Sequence, residues 1–265
     1  MAPTYLDDIV AHHRARVAGD TRNWEERLEG VRYEGPSMIE ALSASEGSNI
    51  KVIAEVKRRS PSKGWIDEHL DAATLARAYE RGGASAISVL TDEPHFAGSF
   101  ADFAEVKAAV TLPLLRKDFT LSANDVLDTA ALGAAAVLLI VAALDDEELA
   151  LFIDLAERCG LDALVEVHDA EELRRALGFG ARLIGVNQRD LRTFEVSFER
   201  AASLVASLPE GIISVVESGL SSRDDVEDAA RAGFDAILVG ETFVRSQTPE
   251  AIVRSFATVA RGARD

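Results

Sequence analysis

The chain has 265 residues, 48% of them hydrophobic, and a formal charge of −17 from 45 acidic and 28 basic side chains. That length can bury a large core, as one barrel or two small domains. The negative field argues against nucleic-acid and anionic-membrane partners, and no apolar run approaches the roughly 18–20 residues that span a bilayer.

The first thirty residues hold no apolar run behind a basic start, so no signal peptide is expected and the location expected is cytoplasmic. A single cysteine, Cys159, rules out an internal disulfide and a zinc–cysteine cluster, and before Gly160 it reads as a small buried hydrophobe. The acids are scattered over helical faces as a solvated surface. Only five of the 28 basic residues are lysines. Together these features suggest adaptation to high salt, where repulsion is screened over about 3 Å.

In chain order, Tyr5–Val17 reads as an amphipathic helix and Met38–Ala44 as a second, so residues 1–48 form a helical extension. Eight short apolar runs follow: Val52–Val56, Ala86–Leu90, Pro113–Arg116, Ala136–Ile140, Ala163–Val167, Leu183–Val186, Ile213–Val216 and Ala236–Val239. Nearly continuous apolar character is expected of parallel strands covered on both faces. Helical patterns lie between them. Asp145–Arg158 has an acidic first turn, Ser221–Ala232 opens with a partial capping box in which Asp replaces Glu, and Ala251–Ala260 closes the chain.

A recurrent glycine, at 83, 133, 160, 180 and 233, ends a helix just before a strand. It is the residue that takes the left-handed C′ conformation without a Cβ clash. Strict β–α alternation, repeated eight times, predicts a (β/α)8 TIM barrel with an N-terminal helical extension, in one domain. A doubly wound sheet is disfavoured, because the first strand lacks a following Gly-x-Gly-x-x-Gly turn.

Side chains alternate along a strand, so residues i and i+2 share a face. Glu55 and Lys57 then point together from the end of strand 1. Lys117 follows strand 3, Glu166 ends strand 5, Asn187 and Arg189 end strand 6, and Glu217 and Ser218 end strand 7. A closed barrel brings all of them to one mouth, where barrel enzymes place their sites. Lysines and glutamates so gathered can do proton chemistry on a carbonyl compound. Either lysine could also form a Schiff base. Gly219 and Gly240 follow strands 7 and 8, where barrels hold phosphate on backbone N–H groups; each alone could be a tight turn, but two so placed favour phosphate. Ser60 could add a hydroxyl donor. His12-His13 is expected to be solvated, His168 to be a loop residue, and no spacing suggests a metal site.

With these residues in view, the chain resembles the indole-3-glycerol phosphate synthases. The motifs are Ile53-Ala-Glu-Val-Lys-Arg-Arg-Ser-Pro-Ser-Lys-Gly64, Ser88-Val-Leu-Thr-Asp92 with Phe96-Ala-Gly-Ser99, Leu115-Arg-Lys-Asp-Phe119, Val165-Glu-Val-His168, Gly185-Val-Asn-Gln-Arg-Asp-Leu191, Glu217-Ser-Gly219 and Val239-Gly-Glu241. Each is weak alone; their order along one chain is specific.

The resemblance implies a small phosphorylated substrate, 1-(2-carboxyphenylamino)-1-deoxyribulose 5-phosphate, which is cyclised, decarboxylated and dehydrated without cofactor or metal. It implies Lys117 as general acid, Glu166 as general base, Lys57 on the substrate carboxylate, and Glu55 tuning that lysine. Asn187, Glu217 and Ser218 would hold polar substrate atoms, with Arg189 beside them. Ser60, Gly219 and Gly240 would face the phosphate, with Glu241 adjacent, and Phe96, Phe119 and Leu191 would wall the aromatic pocket. Gln188 and Thr242-Phe243 depart from the family pattern beside the site. A monomer is expected, since no long apolar stripe is left over. The rival readings are another phosphate-binding barrel of the same pathway, a Schiff-base aldolase, and a barrel that only binds sugar phosphates.

Overall fold

A computed structural model describes residues 4–43, 47–61, 63–190 and 195–262. Eight parallel strands close into a barrel: β1 Lys51–Val56, β2 Ala86–Leu90, β3 Leu114–Lys117, β4 Ala136–Ile140, β5 Asp162–Val167, β6 Leu183–Asn187, β7 Ile213–Glu217 and β8 Ala236–Val239. Each pairs with the next, and β1 closes the ring against β8. All eight predicted runs are strands, with ends within a residue or so. The (β/α)8 expectation holds.

Two layers of packing explain the alternation. One set of strand residues, including Val52, Val89, Val137, Val165 and Val216, packs outward on the helices. The other set, including Ile53, Leu115, Leu138, Leu164, Leu183, Val215 and Leu238, fills the barrel interior. Toward the strand C-termini the inward positions change chemistry. Ile53 is followed by Glu55 and Lys57, Leu115 by Lys117, Leu164 by Glu166, Leu183 by Gly185 and Asn187, and Val215 by Glu217. Thus the same period-2 register that builds an apolar floor builds a charged ceiling.

The five glycines predicted to end helices all have φ between 73° and 92°, where a Cβ would be strained. Asp145 caps Asp146–Arg158 through a complete capping box with Glu148. The helix predicted from Ser221 is capped one residue later. Ser222 bonds the backbone of Asp225, and Ser221 instead donates its own N–H and hydroxyl to that carboxylate. The last helix runs Pro249–Ala257, starting earlier than predicted because proline's fixed φ suits a first turn.

The helical extension is real and works at both ends of the barrel. Met38–Leu42 plugs the strand N-termini: Met38 and Leu42 join the interior cluster, while Asp162 accepts from Ser37 Oγ at 2.8 Å and from the Ile39 N–H at 2.9 Å. A short helix at Trp24–Leu28, too brief to show periodicity, also lies in this segment. Tyr5–Ala18 lies over the opposite mouth. There Arg14 forks onto Glu148 (2.5 and 2.7 Å), and Arg16 onto Asp125 (2.8 and 3.1 Å). His13 is not solvated as expected. It is 5% exposed and bonds Asp92 at 2.9 Å. Among the described residues no helix is long and apolar enough to cross a membrane.

Candidate active site

The strand C-termini enclose a cavity of about 390 Å³. It is lined by Glu55, Lys57, Ser60, Phe96, Lys117, Phe119, Glu166, Asn187, Arg189, Glu217, Ser218, Gly219, Gly240 and Glu241, so fourteen sequence-predicted site residues meet in one place. The fifteenth, Leu191, lies outside the described residues.

Lys117 is the centre of the charge network. Its Nζ lies 2.5 Å from Glu217 Oε2 and 3.2 Å from Glu166 Oε2, and both carboxylates are buried. Glu166 Oε1 accepts from Asn187 Nδ2 at 3.0 Å. On the neighbouring wall Lys57 Nζ lies 2.6 Å from Glu55 Oε1. A lysine in a dry pocket among other cations would have its pKa lowered. The structure reverses it. Burial does pull the Lys117 pKa down, but Glu217, Glu166 and Glu55 outweigh it and hold the ammonium above the ordinary lysine range. Lys117 is therefore held as a charged ammonium.

The two carboxylates facing it differ. Burial opposes ionisation of both. For Glu166 the attraction of Lys117, then that of His168 and the bond from Asn187, win, and its pKa falls well below the usual carboxylate range. Glu217 has less support: its Oε1 is buried without a partner, and Glu166 repels it. Its carboxyl is pushed up to about 7, first by burial and against the pull of Lys117. Two acids sharing one ammonium split in this way because only one can be fully compensated. Environment thereby leaves Glu166 ionised and Glu217 titratable near neutral pH.

Small residues make the room. A Cβ on Gly185 in β6 would run into Glu217 Oε1, and one on Gly240 into Glu55 Oε1, with Lys57 Nζ at 3.1 Å. Gly185 stood inside a sequence motif but drew no prediction of a role; only the closed barrel shows what it accommodates. Ser218 and Gly219 follow β7 with φ of 68° and 76°, and Gln188 Nε2 donates to the Ser218 carbonyl at 2.8 Å, fixing that turn. Gln188 thus gains a role as a clamp beside the site.

Ser60 ends the first strand of a short antiparallel hairpin, Arg59–Ser60 with Gly64–Trp65, and its hydroxyl is buried without a partner. Glu241 bonds Lys63 (3.3 Å) and Arg245 (3.0 Å), so two cations stand at that end of the cavity. The apolar end is walled by Phe96 and Phe119, 6.3 Å apart and tilted by 37°. Tyr5, Leu6 and Ile9 of the first helix roof it. Sequence reading missed this roof, since nothing local links residue 9 to a barrel mouth.

A family model described as indole-3-glycerol phosphate synthase matches residues 6–256. The chain belongs to the indole-3-glycerol phosphate synthase family. The synthase of Micrococcus luteus is 50% identical over 88% of this chain and 88% of its own. That of a Nocardioides species is 50% identical over 96% and 98%. Similarity of that extent makes this chain an enzyme of the same class. Among solved structures, the N-acetylmannosamine-6-phosphate 2-epimerase of Clostridium perfringens superposes with a TM-score of 0.61 over 80% of this chain and 92% of its own, at 15% identity. That likeness carries the barrel fold alone.

Proposed function

We propose that the cavity closes the indole ring of 1-(2-carboxyphenylamino)-1-deoxyribulose 5-phosphate, releasing CO2 and water and leaving indole-3-glycerol phosphate. The observation that carries the residue roles is the Lys117–Glu166–Glu217 cluster, a charged donor between an ionised and a titratable carboxylate. The aryl carbon bearing the carboxylate attacks the sugar C2 carbonyl, and Lys117 gives its proton to the oxygen as that becomes a hydroxyl. Loss of CO2 restores the aromatic ring. Lys117 regains a proton from solvent and donates it to the departing hydroxyl, which leaves as water; this needs a base for the proton on the adjacent ring carbon, and Glu166 is ionised for that role.

Lys57, held by Glu55, receives the substrate carboxylate. Asn187, Glu217 and Ser218 hold the sugar hydroxyls, with Arg189 adding charge. Ser60, Gly219 and Gly240 take the phosphate beside Glu241, and Phe96 and Phe119, with Leu191, flank the aryl ring. Holding the substrate bent, with its aryl carbon against the carbonyl, is the entropic part of the task. No cofactor or metal takes part in these steps.

The test is fluorescence-monitored turnover of that substrate by purified protein. Indole-type emission that rises with protein concentration is expected. A folded protein that yields none in any salt would leave a sugar-phosphate-binding barrel. A borohydride-trapped adduct on Lys57 or Lys117 would favour the aldolase reading.

His168 supports Glu166. Its Nδ1 sits 3.0 Å from Glu172 Oε2 and its Nε2 3.4 Å from Glu166 Oε1. Burial opposes its charge, but the carboxylates of Glu166 and Glu172 beside it outweigh that and raise its pKa to about 10. The folded value lies above the unfolded one of about 6.5, so its stabilising contribution is full below that pH and is lost as pH climbs toward 10. Wild-type melting temperature is expected to drop between pH 7 and 10 more than that of His168→Gln. The difference is on the order of 3 kcal/mol. Parallel curves would show that His168 is uncharged in the fold.

We further propose one cytoplasmic domain that is monomeric and salt-adapted, on the strength of its −17 charge. Potassium chloride is expected to raise the melting temperature by screening acidic repulsion. A melt most stable in dilute buffer and indifferent to salt would remove the salt reading, and a dimeric mass by light scattering the monomer.

A further inference from the structure

Three of the chain's five histidines gather beside one buried carboxylate, outside the acid–base set. Asp92 follows β2 and is 2% exposed. Its Oδ1 lies 2.9 Å from His13 Nε2 and 3.2 Å from His95 Nδ1. Its Oδ2 is fixed by the His95 N–H at 3.0 Å, as the cap of the turn that follows. The ring of His12, the exposed neighbour, stands 5.5 Å from that of His13 and 5.4 Å from that of His95.

We propose that His13, Asp92 and His95 form a site for a zinc-class divalent cation, with water as the fourth ligand. Bonds of about 2.0–2.1 Å at tetrahedral angles put neighbouring donor atoms about 3.3 Å apart. Two of the three donor pairs stand at 2.9 and 3.2 Å, and all three atoms lie within 4.8 Å of one another. Two imidazoles and a carboxylate are a donor set that zinc, cobalt and nickel favour over calcium or magnesium. The carboxylate is oriented from behind by a backbone N–H, as ligands in built sites are. Without the ion, the two ring nitrogens bond the carboxylate directly. With it, neutral His13 ligates through Nε2 and carries its proton on Nδ1, an atom already buried without a partner. Ligation therefore adds no new orphan.

The ion would join the first helix to the loop after β2. His13 also packs its ring 5.3 Å from that of Phe119, a wall of the cavity. The cation would thus pin the roof without touching the reacting atoms, and this inference does not depend on the reaction assigned to the cavity.

The test uses full-length protein dialysed against chelator and titrated with cobalt(II). The strong visible absorption of four-coordinate cobalt is expected at one equivalent, displaced by zinc. Near-saturating zinc should raise the melting temperature by about 5 °C or more. His95→Gln and His13→Gln should each lose the band, and circular dichroism checks their fold. His95 is partly exposed on a short turn, so its variant tests the site even where His13→Gln fails to fold. His12→Gln should keep the band. Absence of absorption and of any zinc-induced shift overturns the proposal. So does a band that survives His95→Gln, or one lost only with His12→Gln, which marks adventitious surface binding.

Discussion

Lys117→Met is expected to lower kcat by about 10²–10⁴, the range of a positioned general acid. It should also destabilise the fold, for a separate reason. Glu166 and Glu217 are 3% and 2% exposed and face the same ammonium. Removing it leaves two buried carboxylates with no cation between them, a change of about 3–5 kcal/mol for a broken buried pair.

The pH dependence separates the effects. Loss of the ammonium raises both carboxyl pKa values, so the penalty is greatest near neutral pH and shrinks as acid protonates the pair. Melts at pH 5.5 and 8 would read that slope. The double variant Lys117→Met/Glu217→Gln should regain much of the stability, because Glu166 keeps its bond from Asn187 and the neighbouring charge of His168. It should regain no turnover. Recovery of activity in the double variant would mean that Lys117 serves only as a counter-ion, and the general acid would have to be sought elsewhere in the cavity.

Why the polar ceiling was legible and its surroundings were not follows from the range of the forces involved. Glu55, Lys57, Lys117, Glu166, Asn187 and Glu217 stand at fixed period-2 offsets from apolar residues, so strand periodicity alone places them on the inner face. Barrel closure does the rest. His13 and Asp92 are 79 residues apart, and Arg14 and Glu148 are 134 apart. No local pattern encodes such contacts. A histidine beside another on an amphipathic helix therefore read as solvated, though its ring is buried.

Environment was hidden in the same way. Lys117 was legible as a proton donor, but the direction of its pKa depends on which side chains the neighbouring strands aim at it. That direction required the register that sets Asn187 opposite Glu217 and Glu166 opposite Gly185. The glycine in that pair also shows why a residue without a side chain can matter: the volume it leaves is filled by Glu217 from the next strand.

Glu166→Gln is expected to lower kcat by about 10²–10⁴ and, more tellingly, to separate two products in time. The amide keeps the volume and an oxygen to accept from Asn187, so substrate should still bind and the ring still close. Lys117 remains, now paired with Glu217 alone. Carbonyl protonation and decarboxylation then proceed, because neither needs a base at position 166. Dehydration does need one, since the departing hydroxyl leaves only as the ring loses its proton. Single-turnover measurements should therefore show CO2 appearing before indole fluorescence, with a hydroxylated, non-fluorescent intermediate between them. Equal delay of CO2 and fluorescence would move Glu166 to ring closure and leave dehydration to Glu217. Glu217, the other carboxylate paired with Lys117 among the described residues, has its carboxyl pushed up to about 7 and so can both take and return a proton near neutral pH.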